Sequence, residues 1–138
     1  MGNAKAKSFV TIMIVIAVCA LLLRIAIDGL IKINIAQNES NAQGTLKLIS
    51  AALENYASDN HGAYPEKLSV LTKPSPPYLD KDYITQSPLK GYNYTCSRLE
   101  PSGYNCYAAP ARCRLTGNML FNITSGGILV SEECNKKD

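Results

Sequence analysis

From Phe9 to Leu23 the chain carries no charged side chain, and from Met1 to Tyr64 it carries no proline. The first fact asks for an apolar environment, and the second allows one very long helix. The run FVTIMIVIAVCALLL is followed by Arg24, by Ile25-Ala26-Ile27, and then by Asp28. A helix that crosses a bilayer needs about 20 mostly apolar residues, each rising ~1.5 Å. Ser8 to Asp28 is 20 steps, or about 30 Å of helix, which matches a hydrocarbon core. Arg24 then falls near the far side, where its stem can carry the charge to the headgroups. Asp28 stands one turn beyond, so an Arg24–Asp28 charge pair is expected. Lys5 and Lys7 precede the run, and positive charge there holds that end in the cytoplasm. Residues 1–8 read as a short cytoplasmic leader, 9–28 as the spanning half of a helix, and everything beyond as exported.

Three other readings of the run fit less well. A cleaved signal peptide has a shorter apolar core and a small-residue cleavage site followed by polar sequence. Here Ala17-Val18-Cys19-Ala20 is followed by more apolar residues. A lipoprotein site needs a small residue before the cysteine, and Val18 stands there. A buried soluble helix rarely carries this asymmetry of flanking charge.

The 138 residues leave room for one modest domain beyond the anchor. A net charge of +3 with scattered basic residues gives no electrostatic footprint for nucleic acid. Of five cysteines, Cys19 lies in the apolar run, whereas Cys96, Cys106, Cys113 and Cys134 lie in the last third. Their spacings of nine, six and twenty intervening residues lack the close pairs of a zinc site. An exported domain makes disulfides the expected use.

The helical pattern continues over 29–61. Ala42, Leu46, Ile49, Leu53 and Tyr56 recur at steps of three and four, with Ala52 and Ala57 beside them. Gln43, Lys47, Ser50, Glu54 and Ser58 read as the polar opposite face, and Gly44 as a weak point or bend. Leu46, Ile49, Leu53 and Tyr56 are the expected packing surface for a head. The helix should close at Asn60-His61-Gly62, ahead of Tyr64-Pro65. Five prolines punctuate 62–91, which reads as a connecting loop with one short helix near Glu66–Leu71.

Residues 92–138 carry strand signals. Tyr92–Cys96 and Tyr104–Ala108 flank Pro101-Ser102-Gly103, while Asn118–Ile123 and Ile128–Val130 flank Thr124-Ser125-Gly126-Gly127. Two hairpins give a small antiparallel sheet, whose apolar face has the Leu46–Leu53 stripe as its partner. The fold class is therefore α+β. Four cysteines allow three pairings. Cys96 and Cys106 lie equally far from Pro101, so they should face each other across the first hairpin. That leaves Cys113 with Cys134.

The stretch Ala36 to Pro65, AQNESNAQGTLKLISAALENYASDNHGAYP, resembles the helix of the type IV pilin-like superfamily, which includes the pseudopilins of type II secretion. Pro77-Tyr78-Leu79-Asp80, Gly91-Tyr92-Asn93-Tyr94, Gly117 to Phe121 and Gly127-Ile128 resemble the family's head. The resemblance implies a long N-terminal helix, half anchored and half amphipathic, packed on an antiparallel sheet. Aligned backwards from Asn38-Glu39-Ser40, it makes Ala6 and Lys7 the candidate leader-processing site. Thr11 then stands where the family carries a glutamate.

What the resemblance implies is a non-enzymatic subunit that assembles through its N-terminal helix into a pilus-like or secretion pseudopilus filament. Its partners would be copies of itself or other pilin-like subunits, the lipid bilayer, and the secretion or pilus assembly machinery. It would sit in a bacterial inner membrane with the head in the periplasm. The competing reading is a tethered periplasmic pilin-like protein that does not assemble by the usual route. An enzyme is the third class. His61, the only histidine, falls in the helix-ending turn, and Asp80 and Asp82 flank Lys81 in a loop. No cofactor is expected, and Glu132 and Glu133 alone are too few carboxylates for a calcium loop.

Overall fold

The computed structural model describes residues Gly2 to Asn135, with side chains from Lys7 onward. A helix α1 spans Gly2–Asp59, and four strands follow: β1 Tyr92–Glu100, β2 Gly103–Pro110, β3 Met119–Thr124 and β4 Ile128–Glu133. The strands form one antiparallel meander in the order β1-β2-β3-β4. The layout is α+β and pilin-like, one long N-terminal helix with a small antiparallel sheet. Helix α1 continues unbroken through the sequence boundaries at 8/9 and 28/29. Packing changes instead at Asn34/Ile35, where the chain divides into two compact units.

In the first unit every side chain from Lys7 to Leu30 is exposed. The helix is long and apolar enough to cross a membrane. The expected charge pair does not form there. Arg24 and Asp28 are both exposed, and the ion pair among the described residues is Arg98–Glu100. The acid follows the base along the helix, which is the weaker of the two i,i+4 orders. Ala6 has its side chain outside the described residues. Lys7 is helical and exposed.

The second unit is built on the stripe. Leu46, Ile49 and Leu53 are 0%, 1% and 0% exposed, and burial of each such side chain stabilises by about 1.5–3 kcal/mol. Strand alternation sends Tyr92 and Tyr94 of β1, Tyr104, Cys106 and Ala108 of β2, and Phe121 and Ile123 of β3 into the same core. Tyr56 is half-buried and meets the ring of Tyr78 edge-on, with centroids 5.6 Å apart. Gly44 is exposed on a continuous helix.

The helix closes as a Schellman turn. The Gly62 N–H donates to the Ala57 carbonyl at 2.7 Å, and the left-handed position ahead of it is His61, φ 58°. The segment 62–91 is part of the packed unit rather than a spacer. Its short helix is a 3-10 turn over Leu68–Thr72, which buries Leu68 and Leu71, and Leu79 and Tyr83 join the same core.

The first hairpin turns on Pro101-Ser102, which pairs Glu100 with Gly103, Leu99 with Tyr104 and Arg98 with Asn105. Continued unchanged, that register would put Ser97 opposite Cys106. A bulge between Cys96 and Arg98 shifts it by one residue and brings Cys96 opposite Cys106.

Two substitutions on α1 separate covered from uncovered positions. Leu53→Ala should cost about 3 kcal/mol of unfolding free energy by leaving a cavity in the core. Gly44→Ala has nothing within 4 Å of the new Cβ and should gain up to about 1 kcal/mol. Urea titration of the full chain in detergent, followed by tyrosine fluorescence, measures both. Equal effects at the two sites would contradict this packing.

Candidate functional site

The chemistry of the second unit is concentrated along the seam where α1 meets the sheet. Glu54, one turn after Ser50, accepts three hydrogen bonds. The Tyr104 hydroxyl donates to Oε1 at 2.9 Å, the Gly126 N–H donates to Oε1 at 2.8 Å, and the Tyr64 hydroxyl donates to Oε2 at 3.0 Å. Since Tyr104 gives its proton to Glu54, its oxygen accepts from the buried Ser50 hydroxyl at 2.7 Å. The rings of Tyr64 and Tyr104 meet edge-on at 5.1 Å. One carboxylate thus ties the helix to the helix-ending segment, to β2 and to the β3–β4 turn.

A second clamp lies nearer the start of the covered helix. The Asn38 amide donates to the Thr116 carbonyl at 2.9 Å, and Glu39 accepts from the Asn118 N–H at 2.7 Å. Gly117 lies between these two partners, with the Tyr92 ring so close that a Cβ there would overlap it. The Tyr92 hydroxyl donates to the Met119 carbonyl at 2.7 Å.

Ser50 and Glu54 correct the sequence reading, which put them on the polar outer face. Ser50 is 5% exposed and Glu54 is half-buried. The covered face is wider than a stripe of steps of three and four, because tyrosine hydroxyls reach past the apolar row to the next column of side chains. Glu54 directly follows Leu53, and with Ser50 it sits beside Ile49 and Leu53. That adjacency was the available signal, but it does not say which residue lies opposite.

The four head cysteines form two bridges. Cys96 is joined to Cys106, with Cα atoms 3.9 Å apart, and Cys113 to Cys134, with Cα atoms 5.9 Å apart. The second bridge ties the chain after β4 to the loop between β2 and β3. Cys19 is free and exposed. Among the described residues no group of three or more His, Cys, Asp and Glu side chains is placed to hold a metal ion. Asp80 and Asp82 do not converge as an acid/base pair: Asp80 accepts from the Tyr83 hydroxyl at 2.9 Å, and Asp82 from the backbone N–H groups of Ile84 and Thr85.

Burial sets the acidity of the buried tyrosines. It pushes Tyr104 up to about 12, with the Glu54 hydrogen bond adding to the rise and the Ser50 bond opposing it. Tyr83 is also raised to about 12, by burial first and then by its bond to Asp80. Burial and the Glu54 bond raise Tyr64. Comparison of the chain with protein-family models, with curated proteins and with solved structures returns no match.

Two expectations follow from the seam. Glu54→Gln keeps the shape but loses the charge that three donors point at. It should cost about 2 kcal/mol, measured by urea titration at neutral pH. The tyrosines give a pH dependence whose sign is fixed. Their folded values lie above the ordinary 10.0, so the folded state holds its protons longer than the unfolded state. Stability from this source is complete below pH 10 and is lost between about pH 10 and about pH 12. Tyr104→Phe should flatten part of that loss, and an unchanged alkaline slope would show that Tyr104 titrates freely.

Proposed function

We propose that the chain is a non-enzymatic, pilin-like subunit that assembles through its N-terminal helix into a pilus-like or type II secretion pseudopilus filament. The observation that supports it most is the division of one helix into two surfaces. Leu46, Ile49 and Leu53 are covered by the chain's own sheet, while Phe9 to Leu30 offer apolar side chains that stay exposed among the described residues. Such a surface is at home in lipid before assembly and against neighbouring helices after it. In this reading the protein waits in a bacterial inner membrane, held by Lys5 and Lys7 on the cytoplasmic side, with its head in the periplasm. Two disulfides suit that compartment. Its partners are copies of itself or other pilin-like subunits, the bilayer, and the secretion or pilus assembly machinery.

One observation favours a second reading, a tethered periplasmic protein that does not assemble by the usual route. At Thr11, where the family resemblance asks for a glutamate, the side chain is neutral and its hydroxyl donates to the Lys7 carbonyl one turn back, at 2.8 Å. It offers no carboxylate to a neighbouring subunit.

Electron microscopy of sheared surface material, with antibody to the head, separates the two. The filament reading expects labelled filaments. Protein confined to membranes, with a head that added protease digests in spheroplasts, would support the tethered reading. A head protected from protease in spheroplasts would contradict both.

A further inference from the structure

Asn41 and Thr45 of α1, Lys81 and Tyr83 of the segment after it, and Lys90 and Tyr94 line a cavity of about 140 Å³. The two lysines are the unusual part. Lys81 is half-buried, with Nζ 5.1 Å from the centre of the Tyr83 ring. Among the described residues the ion pair is Arg98–Glu100, and no described carboxylate lies within 4.0 Å of Lys81 or Lys90. The nearest acids in sequence are already engaged, Asp80 by the Tyr83 hydroxyl and Asp82 by two backbone N–H groups. Two cations therefore line one small cavity with no described carboxylate between them.

Lys90 is held there by its backbone. Leu89 and Tyr92 exchange both of their N–H···O bonds, at 2.8 and 3.0 Å, and the two residues between them, Lys90 and Gly91, have φ of 47° and 78°. That is a type I′ turn, whose first position favours asparagine, aspartate or glycine, because a lysine Cβ is strained at positive φ. Gly91 in turn is pressed against Asn38 and Thr116, where a Cβ would come within 2.9 Å of either. Lys90 is exposed, and a strained position that holds a cation at the rim of a cavity points to a use for that cation.

We propose that this cavity binds a single carboxylate on a short carbon stem. The lysines supply charge, the Asn41 amide can donate hydrogen bonds, and the Tyr83 and Tyr94 rings offer apolar wall to the stem. The small volume suits a short stem better than a drug-sized ligand. The carboxylate comes either from an acidic side chain of a second copy of the chain or from a small free organic acid. The site stands independently of the filament reading.

The test is a titration of the full chain in detergent with sodium propionate, at constant ionic strength against sodium chloride, followed by ¹⁵N-resolved NMR. Saturable shifts are expected at Asn41, Thr45, Lys90 and Gly91. Lys81→Gln and Lys90→Asn should each weaken binding by about tenfold or more. Asparagine suits the type I′ turn better than lysine, so a loss in Lys90→Asn cannot be blamed on misfolding. Sedimentation with and without propionate assigns the source. Self-association that propionate and both variants weaken identifies a second copy, and self-association that ignores them identifies a free acid. No saturable shift, unchanged affinity in both variants, or inorganic phosphate binding more tightly than propionate would overturn the proposal.

Discussion

A helix cannot hide its own apolar stripe, and in the second unit Leu46, Ile49 and Leu53 are hidden by a sheet face rich in tyrosine. The rest of that unit depends on this contact. The inner residues of the four strands share one core with the helix stripe and with Leu68, Leu71, Leu79 and Tyr83 of the segment 62–91. Without the helix, those rings would lie open to water. Tyrosine suits the role because its ring fills the core while its hydroxyl reaches a polar partner at the rim. Tyr104 and Tyr92 both do this, one towards Ser50 and Glu54 and the other towards the Met119 carbonyl.

The polar contacts then fix what the apolar contact leaves free. Burial sets that the helix lies on the sheet, but it is indifferent to a small slide along the axis. The Glu54 cluster and the Asn38–Glu39 clamp act at the two ends of the stripe and remove that freedom. Because the Glu54 donors come from three different parts of the chain, the carboxylate also couples the closing turn of the helix to the sheet. The Cys96–Cys106 bridge fastens the bulged middle of the first hairpin, and the Cys113–Cys134 bridge holds the chain beyond β4. The second unit is therefore packed on its own core, while the apolar helix from Lys7 to Leu30 is exposed.

Much of this was legible in the sequence, for local reasons. The apolar run, the stripe and the turn residues are short-range patterns, and each led to the right element. The facing of Cys96 and Cys106 also followed from counting, although the count alone misses its cause. The turn has two residues, so a regular ladder would have put Ser97 opposite Cys106, and the bulge restores the match. What sequence could not show was non-local. Leu68 and Leu71 are separated from Leu79 and Tyr83 by Pro74, Pro76 and Pro77, so no single periodic element marks the four as core. Ser50 and Glu54 look like solvent-facing residues until it is known that Tyr104 lies across from them. The Arg24–Asp28 pair was expected from spacing, but its order along the helix favours it least.

With these contacts the covered part of α1 and the sheet should open as one cooperative unit, while the earlier part of the helix responds to its surroundings. Native-state hydrogen exchange on the full chain tests this directly, with increasing urea and in two lipid environments. The amides of residues 42–57 should open in a single event shared with β2 and β3. Those of residues 9–33 should respond to the change of lipid and not to the opening of the sheet. Separate opening of residues 42–57, ahead of β2 and β3, would contradict the account.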